Sequence, residues 1–177
     1  MDSFLDLTTT DGRRFCIRPI QPDDRSHLQS GIQRLSPDSR YRRFHSARRN
    51  LSERELDFLT CCDGTNHIAL VATAVDNLGT ETEGIGVARF FRDPTDHQSG
   101  EIAIVIADPW QGSGVGLAML TELKRRCLSV DVHRWKATVD SDNYAAIRTF
   151  TKVGQVIQSQ STDSRVHIEI DLKVQQT

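Results

Sequence analysis

The run Ile106-Ala107-Asp108-Pro109-Trp110-Gln111-Gly112-Ser113-Gly114-Val115-Gly116-Leu117 constrains this 177-residue chain more than any other. A strand end leads into a turn with glycine at alternate positions, and the turn leads straight into a long amphipathic helix. Glycine leaves no Cβ between the backbone and an approaching group, and it opens dihedrals closed to other residues. The helix behind it presents unpaired N–H groups and the positive end of its dipole to the same point. The construction is an anion cradle, suited to a phosphate or pyrophosphate.

The elements around the turn decide what kind of fold carries it. Residues 14–20 read as a strand after the turn signal Asp11-Gly12. Pro22-Asp23-Asp24 opens a helix with Leu28, Ile32 and Leu35 on one face. Ser36-Pro37-Asp38 opens a short helix carrying Tyr41 and Phe44, and Ser52-Glu53-Arg54-Glu55 is a capping box ahead of Leu56, Leu59 and Thr60. Residues 67–75, 84–91 and 101–107, separated by short polar turns, form an antiparallel meander, with Ile102, Ile104 and Ile106 on one face. The helix from Gly114 to about residue 128 has a core face of Leu117, Leu120, Leu123 and Cys127. Lys124, Arg125 and Arg126 close it where the dipole favours cations. Trp135, Ala137 and Val139 alternate in the next strand. Ser141 or Asp142 caps a helix bearing Ala146, Phe150 and Val153, which Gly154 ends as a C-terminal glycine. Two strands follow, the last alternating Val166, Ile168, Ile170 and Leu172, before a frayed tail. The expected architecture is one mixed α/β domain over residues 1–177. Its central sheet is mostly antiparallel with one parallel pair, and helices cover both faces.

Composition narrows the partners. A net charge of -2 argues against general nucleic-acid binding, which wants a basic domain. No apolar run reaches membrane-spanning length and the N-terminus lacks signal-peptide shape, so the expected compartment is the cytoplasm. Cys16, Cys61, Cys62 and Cys127 show no CxxC pairing and no His at zinc-ligand spacing, so no metal is expected. Cys61-Cys62 read as a helix end with one thiol buried, and Cys127 as core. The glycine spacing is GxGxG after a meander, whereas a dinucleotide fingerprint needs GxGxxG opening a βαβ unit. A P-loop would end in Gly-Lys-Ser/Thr, which is absent.

Gln111, Gly114 and Gly116 stand in the order Gln-x-x-Gly-x-Gly after a strand, and Asn143, Phe150, Lys152 and Gly154 follow in the next helix. In these motifs and in its element order the chain resembles the GCN5-related N-acetyltransferases (GNAT superfamily). The stretches at residues 40–44, 51–56 and 67–72, with Glu101-Ile102-Ala103 and Asp108-x-Trp110-Gln111-Gly112, are similar to its protein-lysine acetyltransferase branch. The resemblance implies a GNAT fold and acetyl-CoA as co-substrate, without a metal. It implies that the amides of Gln111, Gly112, Ser113, Gly114, Val115 and Gly116 cradle the pyrophosphate, with Ser113 adding a hydroxyl. It also implies that the backbone of Ile104 and Ile106 bonds the pantetheine arm as an added strand would, and that Asn143 meets that arm from the neighbouring junction. Phe150 holds the position where the family often places a tyrosine that protonates the leaving thiolate. The implied partner is an amine acceptor, a protein lysine or a small molecule, served by a monomer or homodimer.

A lysine amine with a pKa of about 10.4 must lose its proton before attack, a penalty of roughly 4–5 kcal/mol at pH 7. Glu101 is the candidate base, at the head of the strand that lines the arm, with Ile102 to Ile106 as apolar neighbours that would desolvate its carboxylate. Phe150 cannot donate a proton, so water, CoA itself, Tyr144 or Tyr41 must serve the thiolate. His67, His97 and His133 read as ordinary surface or strand histidines. Arg40, Arg42, Arg43, Arg48 and Arg49 have two readings. They attract an acidic substrate surface or the CoA 3′-phosphate, or they form a solvated helix face neutralised by Asp23, Asp24, Asp38, Glu53 and Glu55. The expected activity is acetyl transfer to a primary amine by direct attack in a ternary complex. The alternative is a catalytically weak acyl-CoA sensor, which the missing tyrosine at position 150 keeps open.

Overall fold

A computed structural model describes residues 4–44, 50–162 and 164–173, with the side chains of residues 43 and 44 outside the description. One sheet runs in the order β1 (Leu5–Thr8), β2 (Arg14–Pro19), β3 (His67–Val75), β4 (Glu81–Asp93), β5 (Asp96–Ile106), β6 (Arg134–Asp140), β8 (Arg165–Asp171), β7 (Gln155–Ser161). Every neighbouring pair is antiparallel except β5 and β6, which are parallel as a crossover through a helix requires. The mixed, mostly antiparallel sheet expected from the sequence is therefore present. Strand β1 was not expected. It is four residues long with only Leu5 and Leu7 partly buried, too short for alternation to declare itself.

Helices α1 (Arg25–Arg34), α2 (Pro37–Phe44) and α3 (Glu53–Thr60) lie between β2 and β3 in the chain, while α4 (Val115–Ser129) and α5 (Tyr144–Val153) alternate with the later strands. Alternation along the central strands sorts side chains to two cores. Ile68, Leu70, Phe90, Ile102, Trp135 and Ile170 join Met119, Leu120 and Leu123 of α4 in the larger. Ala69 and Val71 on the opposite face join Leu28 of α1 and Leu56 of α3 in the smaller.

Local chemistry explains where the elements depart from expectation. Helix α4 buries Val115, Met119, Leu120, Leu123 and Cys127, leaving Leu117 half-buried. At about 100° per residue Leu117 lies some 200° round from Val115, so the phase set by Val115 carries it off the core face. Burial pushes the Cys127 thiol up to about 12, as befits an inert core residue. Arg125 and Arg126 turn back to the buried Glu122, and Lys124 donates to the Val153 carbonyl at 2.7 Å, capping α5. Asn143, not Ser141 or Asp142, is the α5 N-cap, its Oδ1 accepting from the Ala146 N–H at 3.2 Å. Gly154 ends α5 in extended backbone, with φ -169°. It is required because a Cβ there would stand 2.4 Å from the Asp171 carbonyl oxygen. The capping box at Ser52 and Glu55 forms as read. Cys61 after it is exposed and Cys62 half-buried.

The N-terminal helices are tied to the sheet by one buried ionic cluster. Arg18 on β2 grips Asp24 through two hydrogen bonds of 2.7 and 2.8 Å and reaches Glu81 on β4 at 2.9 Å. Asp24 is 4% exposed in its side chain and also accepts from the Gln21 N–H. Burial alone would raise its pKa, but the Arg18 hydrogen bonds and the Gln21 amide hold it below the usual carboxylate value. Removing one partner of such a pair strands the other in low dielectric. Asp24→Ala is therefore expected to lose about 3 kcal/mol and lower Tm by roughly 6–12 °C. Urea and thermal unfolding measure this, and a loss below about 1 kcal/mol would show the cluster to be surface-like.

Candidate functional site

The parallel pairing of β5 with β6 covers only Ser99↔Arg134, Gly100↔Trp135 and Glu101↔Lys136. Beyond Glu101 the two strands part, and β5 continues for five residues on its β4 side alone. Which backbone groups face the parting follows from the ladder. The Ala107 N–H donates to the Ile85 carbonyl at 2.8 Å, so β4 engages the odd-numbered residues of β5. The N–H and C=O groups of Ile102, Ile104 and Ile106 point away from β4. The Ile106 carbonyl accepts from Gln111 Nε2 at 3.0 Å, and upstream the Gln98 carbonyl accepts from the His133 N–H, as this parity requires. Among the described residues, Ile104 and Ile106 thus present an edge with no strand partner to a slot, the Ile106 carbonyl meeting only the Gln111 side chain, and an extended chain of amide groups could pair there.

The slot ends at the glycine turn. Gly112 and Gly114 have φ of +73° and +96°, the left-handed region that favours glycine, and Gly114 is the N-cap of α4 without a side-chain cap. Gly116 is different. Its backbone is helical, and a Cβ there would find Ile106 and Ile104 at 3.7 and 3.9 Å, ordinary contact. The first intrahelical bond runs from Ala118 to Gly114, so Val115, Gly116 and Leu117 have amides with no helical acceptor. Ser113 corrects one expectation: it is buried, and its hydroxyl donates inward to the Trp110 carbonyl at 2.6 Å. It braces the turn from within and has only its backbone to offer an anion. The turn is also buttressed by the β1–β2 loop, which sequence reading missed. The Thr10 N–H donates to the Ser113 carbonyl, and Arg13 lies 4.1 Å over the Trp110 ring and donates to the Pro109 carbonyl.

Helix α2 bridges the two sides of the slot. Ser36 and Ser39 hydrogen-bond Asp108, just after β5, and Arg42 reaches Asp142, just after β6, at 3.2 Å. A gap one strand wide is about 10 Å, and α2 rises about 9 Å between Ser36 and Arg42. Of the arginine cluster, the structure describes the side chains of Arg40 and Arg42, and Arg42 pairs with Asp38 as the neutralised-face reading expects. Arg40 is 5% exposed and donates to the Leu35 carbonyl, Arg42 pairs with Asp38 and Asp142, and Asp24 and Glu53 serve Arg18 and Arg25 instead. Arg48 and Arg49 lie outside the described residues, as does the side chain of Arg43. Asn143 stands at the β6–α5 corner as expected, though its Oδ1 is engaged by the cap. Phe150 is 3% exposed and lies in the larger core, so it adds an apolar wall and no polar function. Tyr144 and Tyr41 are exposed.

Glu101 sits at the vertex where the strands part. It is exposed, so its apolar strand neighbours do not desolvate it as expected. Its cross-strand neighbour Lys136 gives its ammonium to Asp93 at 2.8 Å. The Glu101 carboxylate itself has no hydrogen bond or ion pair among the described residues.

His67 meets the strand reading: it opens β3 and is buried. Its Nε2 lies 3.2 Å from Arg89 Nη1, and burial, with the Arg89 charge acting the same way, lowers its pKa to about 4. The unfolded chain protonates this residue near pH 6.5, as a free imidazole does. Between about pH 6.5 and 4 the unfolded state therefore binds a proton that the native state refuses, so stability falls as pH drops through that window. The effect has a ceiling of about 3 kcal/mol at about 1.4 kcal/mol per pH unit. His67→Gln should flatten that part of a urea-stability profile; an unchanged slope would assign the acid sensitivity elsewhere.

With this geometry in hand, comparison with known proteins places the chain: it belongs to the GNAT acetyltransferase family. The pattern described as "Acetyltransferase (GNAT) domain" matches residues 14–156. Acetyltransferase Pat of Mycolicibacterium smegmatis is 30% identical over 145 residues, covering 82% of this chain and 42% of that protein. The crystal structure of the GNAT domain of S. lividans PAT superposes with a TM-score of 0.81 at 26% identity, over 96% of this chain and 97% of that one. A cAMP-binding acyltransferase from Mycobacterium smegmatis gives a TM-score of 0.65 at 25% identity, over 98% of this chain and 48% of that one. The chain spans 42% to 59% of the length of the curated relatives it matches. Among the described residues, no helix is long and apolar enough to cross a membrane, and no group of His, Cys, Asp or Glu could hold a metal ion.

Proposed function

We propose that residues 1–177 form one acetyltransferase domain that moves the acetyl group of acetyl-CoA to a primary amine. The observation that carries the proposal is the unpaired edge of β5 at Ile104 and Ile106, running directly into the left-handed turn and the uncapped start of α4. Pantetheine is a chain of two amides ending in a pyrophosphate, and edge and turn match the two chemistries in that order. The amides from Gly112 to Gly116 would hold the pyrophosphate, with Gln111 bracing the turn, since its own N–H donates to the Asp108 carbonyl at 3.2 Å. The edges of Ile104 and Ile106 would hold the arm, with Asn143 on the opposite lip.

The thioester then lies toward the vertex, within reach of Glu101. The carboxylate takes a proton from the acceptor ammonium, directly or through water, and the free amine attacks the thioester carbonyl. The C–N bond forms, the nitrogen's second proton passes to water, the C–S bond breaks, and the CoA thiolate leaves. Phe150 cannot protonate it. A thiol of pKa about 8.5 is an adequate leaving group without a dedicated acid, and Tyr144 and Tyr41 are exposed phenols on α5 and α2 beside the slot. Direct attack is favoured because Cys62, the half-buried thiol by His67, has its pKa raised by burial and is a poor nucleophile. Four free cysteines suit a reducing cytoplasm.

The test is acetyl-CoA titration by calorimetry, followed by CoA release against a panel of primary amines. Binding with release supports the proposal. Tight binding with no release from any amine would favour the sensor reading, to which the likeness to a cAMP-binding acyltransferase lends some weight.

A further inference from the structure

Three aromatic rings stand beside Glu101 on its face of the sheet, and neither the cradle nor the slot uses them. Phe91 on β4 is the direct cross-strand partner of Glu101, and His67 on β3 is the partner of Phe91. Side chains so opposed project to one face with Cβ atoms about 5 Å apart. The Phe91 and His67 rings stack at 4.3 Å between centroids, and Phe58 of α3 closes on them at 5.2 Å from His67 and 5.9 Å from Phe91. Phe58 is 59% exposed, although α3 buries Leu56 and Thr60 within two residues of it. A large ring left in water on an otherwise amphipathic helix, beside a carboxylate without a partner among the described residues, calls for an occupant.

We propose that Phe58 and Phe91 form the platform that carries the apolar stem of the amine acceptor, delivering its ammonium to Glu101, and that they select amines by the length of an unbranched stem. The proposal rests on the acetyl-transfer reading above. Charge at the Glu101 end of the platform suits a cation. Lys136 is tied to Asp93 and so neither neutralises Glu101 nor repels the ammonium. The Arg89 guanidinium, 2% exposed, donates to the Leu59 carbonyl and lies 3.2 Å from His67, which Phe91 separates from Glu101 in the strand register. His67 stays neutral near pH 7, since burial holds its pKa at about 4. Aromatic faces attract an ammonium as well as its methylenes. The platform is open, so it suits an amine presented on an extended stem more than a compact polar amine needing an enclosed pocket.

The test follows CoA release from acetyl-CoA with the straight-chain monoamines from ethylamine to hexylamine. Wild type is expected to gain about two- to fourfold in kcat/KM per added methylene as the stem covers the rings. Phe58→Ala should lose most of that gain, mainly through KM, and Phe58→Leu should restore part of it. Phe58 is exposed, so its truncation should leave the fold intact, and unchanged Tm checks it. A flat length series in wild type, or equal slopes in wild type and Phe58→Ala, would overturn the platform. If release remains dependent on Glu101 in that case, acetyl transfer stands without it. No release from any amine would remove both.

Discussion

Replacing Glu101 with glutamine is expected to lower kcat by about 10²–10⁴-fold and leave acetyl-CoA affinity unchanged. The amide matches the carboxylate in shape but cannot accept the ammonium proton. The side chain is exposed and free of partners among the described residues, so its loss should not disturb the fold. The cradle that would grip the cofactor begins ten residues further along the chain, at Gln111. Affinity and turnover should therefore separate cleanly. A second signature is pH: with no base, turnover should climb about tenfold per pH unit toward the amine pKa near 10.4, as the free-amine fraction does. A variant within about threefold of wild-type kcat at neutral pH would remove Glu101 as base, because a proton-transfer role is worth far more.

Gly114→Val is the second large effect. With φ at +96°, position 114 puts any side chain in the left-handed region, and a β-branched one there is a true outlier. The strain is about 1–2 kcal/mol or more. It is relieved only by turning the N-cap of α4, which redirects the amides of Val115 and Gly116. Acetyl-CoA affinity should fall by about tenfold or more, since each 1.4 kcal/mol is a factor of ten. Gly116→Ala is the contrast. Its Cβ meets Ile106 and Ile104 at ordinary distances in helical backbone, so Tm should hold. Calorimetric titration of both variants decides the matter, and wild-type affinity in Gly114→Val would show that the turn does not hold the ligand.

Much of this was legible in the sequence because the signals were local. The capping box at Ser52, the alternation of Trp135, Ala137 and Val139, and the glycine turn each specify their own conformation within a few residues. Glu101 and the edge of Ile104 and Ile106 entered through a resemblance; the ladder shows where they stand, at the end of the β5–β6 pairing and beyond it. What escaped depended on contacts distant in sequence. The β1–β2 loop braces Ser113 across more than one hundred residues. Arg40 reads as a surface charge in a run of arginines, and only the packing of α2 buries it. The Ser113 hydroxyl and the platform rings were illegible for the same reason. Orientation within a turn and stacking across three elements are set by the tertiary structure.

The early parting of β5 and β6 also has a meaning for stability. The sheet carries hydrogen-bonding groups that the described residues leave without a strand partner, so as described it is one strand short. A ligand that supplies that strand binds the native chain and not the unfolded one, and its binding free energy adds to folding. At one hundred times its Kd such a ligand contributes about 2.7 kcal/mol, or roughly 5–11 °C of Tm at this chain length. The resistance of this protein to heat and proteolysis would then track the local concentration of the ligand. An empty slot would mark the chain for turnover, and a filled one would extend its life.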